Sequence, residues 1–207
     1  MLFRSLDGLK IEILMSHLAS ADENVAQNAA QQSAFATLCG KTSARRMSLA
    51  NSAGICLGAG YAFDLTRPGL ALYGGTPREE AAGHIAQVAY PEAQILQRRT
   101  VGAGGSVGYN ATFTATKDTE LAILNLGYAD GYLRGFSGKG AAGGGRFPVI
   151  GRVSMDLTAI CVDAEPALGE GDWLTLDYDL PSAAATSGLS QYELLTGLGE
   201  RFMRRWT

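Results

Sequence analysis

The chain has 207 residues, enough for one large domain or two small ones. With 18% charged residues, 46% hydrophobic residues and a net charge of −3, it gives no reason to expect nucleic acid or an anionic membrane as a partner. Three cysteines with no C-x-x-C pair and two histidines speak against a disulfide framework, a zinc site or any His-rich metal site, and favour a reducing compartment.

The opening "MLFRSLDGLKIEILM" has no basic segment followed by an apolar run, so no signal peptide is expected. No stretch approaches the length of an apolar membrane span. The expectation is a soluble, cytoplasmic protein.

"KIEILMSHLA" (10–19) reads as a buried strand ending at a polar turn. "SADENVAQNAAQQSAFATLCG" (20–40) reads as a helix. Ser20 and Glu23 match a capping box, alanine fills the interior and Gly40 is the stop. "RRMSLANS" predicts a second strand, "SAGICLGAG" a short helical turn and "FDLTRPGLALYGG" (63–75) a third strand. Strand and helix in alternation predict parallel α/β structure. Three parallel strands leave open edges, so this piece reads as the end of a larger domain.

The pattern changes near residue 76. "HIAQVAYPEAQILQRRTV", "TELAILNLGYA", "FPVIGRVSMDLTAICVDA" and "DWLTLDYDL" are strand-like, separated by glycine-rich turns, and predict a mostly β region. "SGKGAAGGGR" reads as a flexible hairpin loop; it lacks the G-x-x-x-x-G-K-[ST] pattern of a phosphate loop. "LSQYELLTGLGERFMRRW" predicts a closing helix with a capping box at Ser190 and Glu193 and a basic last turn. The expected domains are 1–76 and 77–207.

Several short segments carry candidate chemistry. "HLASAD" puts His17 and Asp22 at a strand end, where α/β folds build their sites. "NSAG" places Asn51 and Ser52 at a helix start, where a hydroxyl and free N–H groups suit a phosphate. "RPGL" follows Arg67 with a proline that fixes the backbone and with Gly69, which lets a ligand approach. Arg67 paired with Asp64 is the structural alternative. "VGY" and "GYADGYLR" present Tyr109 and Tyr128 on Gly-Tyr steps, the second with Asp130 and Arg134 nearby. "GRVSMD" sets Arg152, Met155 and Asp156 on a turn between two β runs. Each segment alone is also explained by turn or capping chemistry.

Their order is the stronger signal. H-x-A-x-A-D, N-S-A-G, R-P-G-x-A-L-Y-G, V-G-Y, G-Y-A-D-G-Y-x-R, G-R-V-S-M-D and Y-E-L-L-T-x-L-G-x-R together resemble the alanine racemases, pyridoxal-phosphate enzymes of fold type III. The resemblance runs from about residue 10 to the C-terminus. It implies the last part of a (β/α)8 barrel (1–76) followed by a complete C-terminal β-barrel-like domain (77–207). It also implies a homodimer with shared active sites, alanine as the small-molecule substrate, and D-alanine supply for peptidoglycan.

By the same resemblance, His17, Asn51, Ser52, Arg67, Gly69 and Leu70 would bind pyridoxal 5'-phosphate, with Ser52 and the backbone at Gly69 and Leu70 on its phosphate. Arg67 would face the pyridine nitrogen; a guanidinium stays protonated and donates without transferring its proton, which favours racemisation over transamination. Tyr109 would be the catalytic base on one face of the substrate, reaching into the other subunit. Met155 would offer its backbone N–H to the substrate carboxylate beside Tyr128. Asp22, Arg134 and Arg152 would line the access corridor. No metal is implied.

The family's lysine segment has no counterpart here, nor has its D-x-G-M-x-R segment, and "GLGERF" departs from the members that place a second gating tyrosine there. The second base is a Schiff-base lysine in a V-x-K-x-[ND]-A-Y-G-H-G segment, and none of Lys10, Lys41, Lys117 and Lys139 has that context. The expectation is an N-terminally truncated racemase that is inactive alone. A non-catalytic β-domain partner of a full-length racemase, or a broader-specificity amino-acid racemase, are the alternatives.

Overall fold

The computed structural model describes residues 8–206. The chain divides between Ala86 and Gln87 into two compact units.

In the first unit, β1 (Ile13–Met15) pairs in parallel with β2 (Arg46–Ser48), placing Leu14 opposite Met47. The helix α1 (Ala26–Ala36) connects them. The expected third strand over 63–75 does not form. There is one parallel bridge between Asn51 and Arg67, and then a 3-10 turn at Leu70–Tyr73. Pro68 has no N–H to give a ladder, so pairing stops at Arg67. Leu18, Ala21, Phe35, Met47, Leu49 and Ala53 form this unit's core, and Phe63 meets Phe35 edge-on at 5.1 Å.

The capping box expected at Ser20 and Glu23 is absent. Those residues close a turn, the Glu23 N–H donating to the Ser20 carbonyl at 3.1 Å, and α1 starts after Val25 with no side-chain cap. The carbonyls of this loop are taken from elsewhere. Asn28 Nδ2 donates to Ser20 and Glu23, and Arg78 Nη1 to Ala21 and Glu23. Bound in this way, the loop is held out of the helix.

The second unit is built on antiparallel strands: β3 (Glu92–Val101), β4 (Ser106–Val107), β5 (Phe113–Thr114), β6 (Thr119–Leu124), β7 (Ala141–Ala142), β8 (Phe147–Pro148), β9 (Thr158–Cys161) and β10 (Trp173–Thr175). Four form a sheet in the order β10-β3-β6-β9. The β7–β8 hairpin closes it. Ala142 bridges Leu176 beyond β10, and Val149 bridges Ile160 on β9, so both outer strands are covered and the sheet is barrel-like. Ala93, Ile95, Ala122, Leu124, Val149 and Ile160 fill its interior.

The glycine loop between β7 and β8 is pinned rather than loose. The Gly144 and Gly145 N–H groups each donate to one oxygen of Asp177, at 2.8 and 2.6 Å. Beyond β10 lies α3 (Leu180–Ser187), a helix not expected from the sequence, with Asp179 accepting the Ser182 N–H at its start and Gly188 (φ 76°) at its end. The closing helix α4 (Gln191–Gly197) has the expected Ser190–Glu193 capping box but ends at Gly197. Among the described residues no helix is long and apolar enough to cross a membrane.

Candidate active site

In the first unit, His17, Asn51, Ser52, Arg67 and Gly69 come together around the ends of β1 and β2. Arg67 is fixed from three sides. Its Nη1 donates to Ser48 Oγ at 2.6 Å, its Nη2 to the Ser16 carbonyl at 2.7 Å, and its own N–H to the Ala50 carbonyl at 2.8 Å. Asp64 does not pair with it; Asp64 Oδ2 accepts the Met47 N–H instead. His17 Nδ1 lies 3.4 Å from Arg67 Nη2, and His17 Nε2 lies 3.4 Å from Asn51 Nδ2. Asn51 is held by its other amide atom, Oδ1, which caps α2 (Ser52–Cys56) by accepting the Gly54 N–H at 2.8 Å. Both ring nitrogens of His17 therefore face N–H donors, and a neutral imidazole has one lone pair to offer them.

Ser52 is 4% exposed, and its Oγ accepts the N–H groups of Gly69 and Ala71 at 2.8 and 3.3 Å. Its hydroxyl proton has no acceptor among the described residues. It is a donor held in place by two backbone amides, which suits an anionic oxygen. Leu70 is buried at the start of the 3-10 turn. Asp22 is exposed in the turn before α1, which Arg78 anchors. Arg78 is 7% exposed and grips Glu80 through Nε and Nη2 at 3.0 and 2.8 Å. The Glu80 hydrogen bond, first among the causes, raises the guanidinium pKa and lowers that of the carboxyl.

In the second unit three motif loops converge. Tyr109 is exposed at the tip of the β4–β5 hairpin, followed by Asn110 and Ala111 at φ 62° and 48°. Gly108 and Gly151 (φ 79° and 67°) pack backbone against backbone, joining this hairpin to the "GRVSMD" turn; a Cβ on Gly151 would lie 2.7 Å from the Val107 carbonyl. On that turn's other side, the Tyr128 N–H donates to the Ser154 carbonyl at 3.0 Å and the Ala129 N–H to that of Met155 at 2.9 Å. Tyr109, Tyr128 and Met155 thus sit on one connected set of loops. The Met155 N–H has no acceptor among the described residues, and Met155 is exposed on its turn. The Arg134 guanidinium covers the Tyr128 ring at 4.9 Å, and Arg152 is exposed.

Three participants were not legible as such. Ser48 and Arg78 lie in unremarkable sequence. Arg201 lies in the motif that closes the chain, where its sequence setting points to no role. Its Nε pairs with Asp130 Oδ1 and its Nη1 with Asp156 Oδ1, both at 2.8 Å.

The N-terminal domain of alanine racemase matches residues 2–77, and the alanine racemase C-terminal domain matches residues 88–206. The chain belongs to the alanine racemase family. It is 42% identical over 205 residues to an alanine racemase of Acidiphilium cryptum, covering 96% of this chain and 57% of that protein. With a catabolic alanine racemase of Agrobacterium fabrum it shares 41% over 209 residues, covering 97% and 54%. Among solved structures, alanine racemase from Bartonella henselae with covalently bound pyridoxal phosphate superposes with a TM-score of 0.86 at 35% identity, over 96% of this chain and 57% of that one. Biosynthetic alanine racemase from Pseudomonas aeruginosa gives 0.83 at 34% identity, over 97% and 58%. The chain spans little more than half the length of these relatives.

Proposed function

We propose that this chain supplies the closing part of the cofactor barrel and the β domain of a pyridoxal-phosphate-dependent alanine racemase, which interconverts L- and D-alanine as a homodimer with shared sites. The observation that carries this reading is the convergence of the Tyr109, Tyr128 and Met155 loops within a chain both of whose halves match the family.

The residues present suit the cofactor. Ser52 keeps a buried hydroxyl proton for a phosphate oxygen, beside the Gly69 and Leu70 backbone. Arg67 is held by Ser48 and Ser16 and keeps further N–H groups for the pyridine nitrogen. His17 and Asn51 brace it. When bound, pyridoxal phosphate delocalises the negative charge left at Cα on proton removal. Tyr109 would take or give the Cα proton on one face, from its hairpin tip. The Met155 N–H would hold the substrate carboxylate, and Tyr128, under Arg134, would wall the pocket. Asp22, Arg134 and Arg152 would line the approach.

Racemisation needs a second base on the opposite face. Lys10 pairs with Glu12 and Lys117 with Asp163, and no lysine of this sequence lies in the family's lysine motif. The 207-residue chain alone should therefore form no D-alanine when given pyridoxal phosphate and L-alanine.

The decisive experiment grafts residues 88–206 onto the Acidiphilium cryptum racemase in place of its own segment. The graft should racemise alanine, and Tyr109→Phe should lower kcat by roughly a hundredfold or more. A folded, cofactor-loaded graft without activity, or a fully active Tyr109→Phe graft, would sink the reading.

A further inference from the structure

We propose that Arg201 is a positioning residue that fixes the Met155 turn against the Tyr128 loop, and so sets the affinity for the substrate carboxylate. This rests on the reading above that the Met155 N–H meets that carboxylate.

The geometry forms a closed ring. Arg201 Nε pairs with Asp130 Oδ1 at 2.8 Å, and the other Asp130 oxygen accepts the Gly127 N–H at 2.9 Å. From Gly127 the chain runs into Tyr128 and Ala129, whose N–H groups bind the carbonyls of Ser154 and Met155. The next residue, Asp156, returns to Arg201 Nη1 at 2.8 Å. One planar guanidinium therefore spans two carboxylates on two loops and fixes their separation and angle. A lysine ammonium, a point charge on a flexible stem, would hold the two carboxylates with far less angular control.

Arg201 also brings the C-terminal segment into the ring. The Gly199 N–H donates to the Asp130 carbonyl at 3.0 Å, and Gly131 (φ 98°) lies directly against the Gly197 backbone at the end of α4. The docking of that segment is thereby coupled to the place of the Met155 N–H. The hydrogen bond that Arg201 donates to Asp156, first among the causes, raises the guanidinium pKa further.

A plain stabilising role would look different. The Arg201 and Asp156 side chains are 53% and 55% exposed, and an ion pair so exposed adds little stability, whereas the Asp130 side chain is 10% exposed and its pair with Arg201 also contributes to stability. The expected signature is a loss of binding, and of local protection at the Tyr128 loop, beyond what any loss of global stability accounts for.

Two measurements test this. In the grafted racemase described above, Arg201→Gln should raise KM for alanine by about tenfold or more and leave kcat within about threefold, since a misplaced donor costs binding. Arg201→Lys should recover part of the KM. An unchanged KM, or a fall in kcat at constant KM, overturns the proposal. In the 207-residue chain, Arg201→Gln should speed amide hydrogen exchange at Tyr128 and Ala129 by about tenfold while leaving Leu121–Leu124 unchanged. Equal protection at Tyr128 and Ala129 in both proteins also overturns it. If the unsubstituted graft is inactive, the functional reading fails, and the exchange measurement still decides the role of Arg201.

Discussion

The Tyr128 N–H reaches the Ser154 carbonyl at 3.0 Å because residue 127 is glycine. Gly127 has φ −152°, an extended conformation open to any residue, so the requirement is one of space alone. A Cβ there would collide with the Ser154 and Met155 carbonyls, which are backbone and cannot swing aside. Gly127→Ala should cost roughly 2–3 kcal/mol, at the upper end for overpacking. The urea midpoint of the chain, read with an unchanged m-value, checks this. A shift within error would show that the two loops slide apart freely.

What the sequence made legible, and what it hid, divides by distance along the chain. The β1-α1-β2 order and the Ser190–Glu193 capping box are local patterns and stand in the structure. The start of α1 was misplaced because its loop is gripped by Arg78, more than fifty residues away. The strand over 63–75 was overread because apolar content outweighed the missing N–H of Pro68. Barrel closure rests on two isolated bridges, Ala142 to Leu176 and Val149 to Ile160, which leave no periodic trace. Of the candidate site, motif order names the residues that the structure brings together at the ends of β1 and β2 and on the three loops of the second unit, but the Arg201 fork joins carboxylates 45 and 71 positions upstream (201 − 156 and 201 − 130) and carries no local signature. The Asp179 cap falls inside the strand-like "DWLTLDYDL" and, with Pro181 after it, is the local signal that announces α3.

Ser52 tests the cradle without any ligand. Its Oγ accepts two backbone N–H groups in a nearly dry environment. Ser52→Ala removes that acceptor and leaves the Gly69 and Ala71 amides without it. The expected cost is about 1–3 kcal/mol, the usual penalty for stranding buried donors. Faster hydrogen exchange at Gly69 and Ala71, beyond the change elsewhere in the first unit, is the specific readout. Unchanged exchange at both would mean that the amides do not depend on Ser52.

Asp163 makes stability depend on pH in the acid range. Lys117 Nζ lies 2.9 Å from one of its oxygens and the Glu120 N–H donates to the other at 2.7 Å. The Lys117 hydrogen bond first, and then the Glu120 N–H, hold its pKa below the usual carboxylate range. A carboxyl lowered on folding contributes stability above its unfolded pKa, near 4, and loses it as pH falls through the lowered value. Asp163→Asn should therefore cost about 0.5–1 kcal/mol at neutral pH, a figure kept small because Lys117 is mostly exposed and screened. The difference between the two proteins should close below about pH 4. Thermal unfolding from pH 3 to pH 7 measures it, and a constant difference across that range would count against the ion pair.

Two buried tyrosines in the second unit give opposite outcomes for the same substitution. Tyr178 and Tyr132 are each 1% exposed. The Tyr178 hydroxyl donates to the Leu194 carbonyl at 3.0 Å, tying α4 to the core. The Tyr132 hydroxyl is buried with no partner among the described residues, over a ring stacked on Phe136 at 4.3 Å. Tyr178→Phe should destabilise by about 1 kcal/mol, because the carbonyl is left unpaired. Tyr132→Phe should be neutral or stabilise by up to about 1 kcal/mol, because it removes a polar atom that gained nothing on burial. Burial pushes both phenols upward in pKa, and the charge of Asp177 adds to this at Tyr132. An acid whose folded pKa is raised favours folding below its unfolded value and loses that contribution as pH rises towards the folded one, so the stability of the chain should fall above about pH 10. Each Phe variant removes one such group and should flatten that alkaline fall. Two variants with the same sign at neutral pH, or an alkaline slope that neither one changes, would contradict this account of the two hydroxyls.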